Sequence, residues 1–89
     1  MNIEYTVQIW KEKDQFVAHA MPLDIMSAGP TPQMARSALA EAVELFLATA
    51  AEIGTLDDLL EEAGYEKQQK SWISPFWVSI ERHLAILEN

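Results

Sequence analysis

The widest chemical repertoire in the chain belongs to His19 and His83, its only two histidines. A metal centre needs histidine or carboxylate ligands at compatible spacing, and neither residue belongs to a paired-ligand motif. Each alternates with core-facing neighbours in a predicted strand, so each is expected on the opposite sheet face. Nucleophilic catalysis would need an activated serine or threonine beside a base. Ser27, Ser37, Ser71, Ser74 and Ser79 have no nucleophile-elbow glycines around them. Thr31 is better explained as a helix cap. The carboxylate pairs Asp57-Asp58 and Glu61-Glu62 read as the solvated face of a short helix. Three glycines spread along the whole chain cannot form a phosphate-binding loop. The expectation is therefore a non-enzyme with no catalytic residue, no cofactor and no metal.

Trp10, Trp72 and Trp77 are the remaining residues of chemical interest. Indoles stack on bases only where a positive groove holds the phosphates. Lys11 and Lys13 lie in a turn and Lys67 and Lys70 in a loop, both pairs interrupted by acidic neighbours, and no helix carries a basic stripe. Fourteen acidic against six basic residues leave a formal charge of −8. Such a surface repels nucleic acid and anionic lipid and attracts a basic protein. Direct contact with nucleic acid or membrane is not expected. Trp10 and Trp77 fall opposite the core face of their strands, where they could meet another protein or be covered by a loop or helix of this chain. Together with Trp72 they are the candidate protein contacts.

The elements that must position these residues follow from periodicity. Ile3, Tyr5, Val7 and Ile9 alternate with polar neighbours up to Trp10, which predicts a strand with one buried face. Lys11 to Gln15 makes a polar hairpin connection without the glycine of a tight primed turn. Phe16 to Met21 is a second strand with Phe16, Ala18 and Ala20 on one face. Pro22 ends it, and Asp24 to Ala28 supplies a short third strand before Gly29.

Thr31 followed by Pro32 is an N-cap followed by proline at the first helical position. Ala35, Ala38, Leu39, Ala42, Val43, Phe46, Ala50 and Ile53 then recur at helical spacing until Gly54 closes about six turns. Gly29 and Thr31 are expected to fix the strand-to-helix turn. Thr55 restarts a short helix with Asp57 and Asp58 in its first turn, and Gly64 stops it. Glu66 to Lys70 reads as a solvated loop. Pro75 introduces a last strand with Phe76, Val78, Ile80, Leu84 and Ile86 on one face, interrupted by Arg82. The order is strand, strand, short strand, long helix, short helix, strand, and no internal repeat or boundary divides residues 1–89.

Eighty-nine residues support one core that is adequate but not generous, so association with a partner would help. Without cysteine there is no disulfide or thiolate site, which fits a reducing cytoplasm. Met1 to Tyr5 lacks the basic start and apolar run of a signal peptide. No stretch approaches the roughly 20 apolar residues that span a bilayer.

At Ser27-Ala28-Gly29-Pro30-Thr31, with Ala35 four residues further on, the chain resembles the HicB-like antitoxins. The run Ala38 to Leu47, the hairpin residues Phe16-Val17-Ala18 and the pair Trp72 and Pro75 are similar to that family too. The chain departs from it in Pro22-Leu23-Asp24-Ile25-Met26, which lacks the family's glycine, and in Met34, where an acidic residue is common. The resemblance implies an α+β domain with a βββαβ partial ribonuclease-H-like fold and a short extra helix before the last strand. The first strand would lie between the second and the last, parallel to the last. It implies the role of neutralising a small basic ribonuclease toxin of the HicA type by occlusion, with self-association as a homo-dimer or higher oligomer. Many members add a DNA-binding segment; this sequence is expected to do without one. The competing expectation is an orphan homo-oligomeric module of unknown ligand.

Overall fold

The computed structural model describes residues 1–88 as a small α+β domain with two three-stranded sheets and two helices. The chain runs β1 (Asn2–Ile3), β2 (Thr6–Glu12), β3 (Gln15–Met21), β4 (Ile25–Gly29), α1 (Pro32–Glu52), α2 (Leu56–Glu62), β5 (Glu66–Gln68) and β6 (Ser71–Ile73). One sheet is the meander β2-β3-β4, antiparallel throughout; the other has the order β1-β6-β5.

The strand read as continuous from Ile3 to Trp10 is divided at Glu4 and Tyr5. Its two parts serve different sheets: Ile3 stands beside Trp72 in a parallel pair, whereas Thr6 to Glu12 pair with β3. The break has a hydrogen-bonding cause. The Glu4 amide donates to the Trp72 carbonyl at 3.2 Å, and the Glu4 carbonyl accepts from the Tyr65 hydroxyl. Neither backbone group is left for a ladder with β3.

The meander forms as its alternation predicts. Ala18 and Ala20 of β3 are fully buried and, with Phe16 half-buried, face α1. The β2–β3 turn needs no glycine because Lys13 takes the left-handed conformation, φ 57°. Gly29 is required by proximity: a Cβ there would lie 2.8 Å from the Ala35 amide nitrogen. Thr31 caps α1, its hydroxyl accepting from the Met34 amide at 3.1 Å, with Pro32 just inside the helix. Ala35, Leu39 and Val43 then lie over the small residues of β3, and Tyr5, Ile9 and Ile25 complete this first core. Two residues expected on the buried face, Phe46 and Ile53, are exposed; Leu47 turns inward and bridges to the second core.

The second core joins Ala50, Leu56, Leu60, Tyr65 and Trp72. Gly64 adopts φ +95°, so only glycine fits the reversal out of α2 without strain. Two expectations fail beyond it. Glu66 to Gln68, read as a loop, is strand β5, paired antiparallel with β6 around a turn at Gln69. Its three side chains are all exposed, so pairing comes from the backbone and leaves no apolar period to read.

The last strand predicted after Pro75 is likewise not formed. Residues 74–88 pair with no strand among the described residues. A strand is defined by its ladder, and β6 already occupies the parallel position beside β1. Of the expected four-stranded arrangement only the parallel pairing is present, over Asn2–Ile3 with β6; the sheet is split in two, and β2 keeps an open edge.

Candidate protein-interaction surface

The three tryptophans separate into two roles. Trp72 is 1% exposed and is the largest fully buried side chain, so it is a core residue and not a surface contact. Its indole Nε1 has no hydrogen-bond partner, and Lys67, directly across the β5–β6 pair, places Nζ 5.6 Å from the ring centroid. Trp10 and Trp77 remain accessible, 37% and 42%. Gly29 and Thr31 take the turn positions expected of them.

Trp10 stands on the face of the meander opposite α1. Register makes Trp10, Val17 and Ala28 neighbours across the three strands, with Gln8, His19 and Met26 in the next row. The Trp10 and His19 rings meet edge to face at 6.2 Å. His19 Nε2 lies 2.7 Å from an Asp24 carboxylate oxygen, and Gln8 Nε2 approaches Nδ1 at 3.4 Å. This pair holds the turn between β3 and β4; His83 lies elsewhere, against Glu81. Among the described residues no three His, Asp or Glu side chains are grouped to hold a metal ion.

Trp77 marks where the chain leaves the second sheet. Its Nε1 donates to Thr6 Oγ1 at 2.7 Å, and three residues earlier the Ser74 amide donates to a Glu4 carboxylate oxygen at 3.2 Å. These contacts follow the Glu4–Trp72 bond along the chain, so the segment passes the start of β2 in the sense parallel to it. Beyond Trp77 it stands free. Val78 and Leu84 are 98% and 96% exposed, and Phe76, Ile80, Ile86 and Leu87 are bare as well.

The free segment is two-sided, as a strand is. Ser79 Oγ donates to one Glu81 carboxylate oxygen at 2.6 Å, and His83 Nε2 meets the other at 2.8 Å. Side chains two apart share a face of extended backbone, so 79, 81 and 83 form a polar row. Both contacts hold the Glu81 carboxyl below the ordinary carboxylate range, Ser79 contributing most. Phe76, Val78, Ile80, Leu84 and Ile86 take the opposite face, with Arg82 among them. That alternation is readable in the sequence; that nothing among the described residues covers it is not.

A groove of about 490 Å³ lies between the start of β1–β2 and α1. Ile3, Tyr5, Val43 and Leu47 give it apolar walls, and Ala40 and Glu44 form its helical rim. No family model matches the chain, and neither does any curated protein or solved structure. Among the described residues no helix is long and apolar enough to cross a membrane.

Proposed function

We propose that this chain is a protein-binding domain of the HicB-like antitoxin kind, acting in the cytoplasm to neutralise a small basic ribonuclease toxin by occlusion. The observation that carries the protein-binding part is the bare apolar face of residues 76–87 beside the open edge of β2. Burying one such aliphatic side chain is worth about 1.5–3 kcal/mol, so water is a poor final environment for five or six of them. An extended backbone with unused N–H and C=O groups is satisfied best by another polypeptide.

The toxin part draws on charge and on element order. A net charge of −8 favours a basic partner and speeds encounter with it. An antiparallel meander followed by a long helix, with β6 then running parallel to β1, agrees with the order of a partial ribonuclease-H-like fold. Fold alone assigns no activity, and the reading assigns the chain none of its own. Self-association belongs to the same reading, and an orphan oligomer without a toxin is its simpler form.

Affinity capture of the tagged chain from its own cells tests the toxin part. The expected result is a stoichiometric small basic protein whose cleavage of RNA stops when this chain is added back. Recovery of the chain alone, or of a basic protein whose ribonuclease activity is unaffected, would overturn it.

A further inference from the structure

We infer that residues 76–87 form an exchanged strand, the segment of each copy pairing along the open β2 edge of a second copy of this chain. The inference rests on the self-association part of the reading above and not on the toxin. It starts from shape. A compact chain of this length has a radius of gyration near 12 Å; this one has 15.4 Å and extends over 48 × 30 × 23 Å. The excess lies in an arm that is held at its root and free beyond it.

The root is fixed by the Ser74 amide on the Glu4 carboxylate and by the Trp77 indole on the Thr6 hydroxyl, neither of them a backbone–backbone bond. At Trp77 the segment has therefore reached the β2 edge without starting a ladder on it. The edge stays unpaired from Thr6 to Glu12 among the described residues, and the arm stays bare. One chain thus carries both an unpaired amphipathic strand and an unpaired edge. Two copies related by a two-fold axis satisfy both at once, and the assembly closes at two.

The surfaces match in chemistry as well as in backbone. A strand laid on the β2 edge turns alternate side chains toward α1, and just ahead of β2 lies the groove between residues 1–5 and α1, with apolar walls at Ile3, Tyr5, Val43 and Leu47. Val78, Ile80 and Leu84 suit that side, leaving the Ser79–Glu81–His83 row to solvent. Glu44, exposed on the groove's helical rim, is the carboxylate available to Arg82, the one charge on the apolar face. The five exposed apolar residues of that face supply on the order of 800 Å² from each copy, the share one partner contributes to a stable dimer.

Mass measurement on the full chain by light scattering after gel filtration, with wild type and Ile80→Asp, gives the first arm of the test. Wild type is expected at twice its 10.0 kDa chain mass and Ile80→Asp at once that mass, with the helical circular dichroism signal retained. The second arm uses the absence of cysteine. Val7→Cys and Ile80→Cys chains, one enlarged by a tag, are co-expressed and treated with a short bifunctional thiol reagent. Exchange predicts a covalent product of the two different chains. A wild-type monomer overturns the exchange. So does a dimer that yields no mixed product, which would leave self-association through another face standing. If Val7→Cys/Ile80→Cys in one chain links only internally, the arm folds back on its own β2 and the inference fails. Inhibition of a toxin by any of these proteins is a separate result and decides neither outcome.

Discussion

Residues 66–73 and residues 76–87 are neighbours in sequence and opposites in fate. The first stretch is polar, Glu-Lys-Gln-Gln-Lys around one serine, one tryptophan and one isoleucine, yet it forms a hairpin and buries Trp72 almost completely. The second reads as an alternating apolar strand interrupted only at Arg82, yet it pairs with nothing among the described residues and exposes nearly all its apolar face. The difference lies in which partners are within reach. The hairpin needs only a two-residue turn, with Gln69 left-handed, and it finds β1 on its other side. The arm needs a whole strand edge, and among the described residues its hydrogen bond to β2 is the one from Trp77 to the Thr6 hydroxyl. Alternation states that a face must be covered; it does not state by what.

The comparison breaks most sharply at its two largest contributors. Trp72→Ala removes the centre of the second core and should cost about 4 kcal/mol, which in a domain of this size lowers Tm by more than about 15 °C. The loss should be the same at every protein concentration, because Trp72 is buried within one chain. Ile80→Ala removes a side chain that one chain leaves 72% exposed. In dilute protein its effect should stay within about 0.5 kcal/mol, as for surface positions generally. As concentration rises and copies associate, a difference from wild type should open, since binding to the folded state raises Tm by mass action. Thermal unfolding of both variants across a hundredfold concentration range checks this. A large concentration-independent loss in Ile80→Ala would show that the arm is already part of its own core.

What could be read from sequence follows the same division between local and distant causes. Thr31, Pro32 and Gly54 bound α1 through interactions within a few residues, and the helix lies where they place it. Ala18 and Ala20 alternate with Val17 and His19 as the strand period requires. Gly29 was identified at the turn, although its reason, the nearness of the Ala35 amide, became visible only in three dimensions. The break at Glu4 was not legible, because Tyr65, which takes its carbonyl, lies 61 residues away. Nor was the burial of Trp72: a lone aromatic at the end of a polar stretch carries no period. Of the interaction surface, Trp10, Trp77 and the alternating face were legible; the open edge and the groove beside it depend on a pairing that did not occur.

A smaller effect sharpens the comparison through Tyr65, which ties the hairpin region to the break in the first strand. Burial pushes its hydroxyl up to about 12, with Glu4 and then Tyr5 adding to the shift. In the unfolded chain a tyrosine ionises near 10. Between those values the folded state keeps a proton that the unfolded state has released, so stability falls as pH rises from about 10 to about 12 and is fully present below 10. Tyr65→Phe loses the hydrogen bond to the Glu4 carbonyl, about 1 kcal/mol at neutral pH, and should flatten that alkaline decline. Denaturant midpoints at pH 8 and pH 11 for both proteins check it. An unchanged alkaline slope in the variant would assign the decline to other groups.

The smallest expected effect concerns Lys67, the one cation near the buried indole. Its side chain is exposed, so the charge over the Trp72 ring contributes about 0.5–1 kcal/mol at most. The aliphatic stem is a separate contribution, because long charged side chains cover apolar surface while their heads stay in water. Lys67→Met keeps the stem and removes the charge; Lys67→Ala removes both. If the charge matters, wild type should exceed Lys67→Met in stability at low salt, and the gap should narrow at 1 M salt, where the Debye length is about 3 Å. If covering the ring matters, Lys67→Ala should be the weaker of the two variants at any salt concentration. Equal stability of all three would mean that Trp72 is held by Leu60, Tyr65 and Ile3 from within. The polar face of the hairpin would then add nothing beyond its backbone pairing, and the contrast with the arm would rest on that pairing and on the packing of Trp72 in the second core.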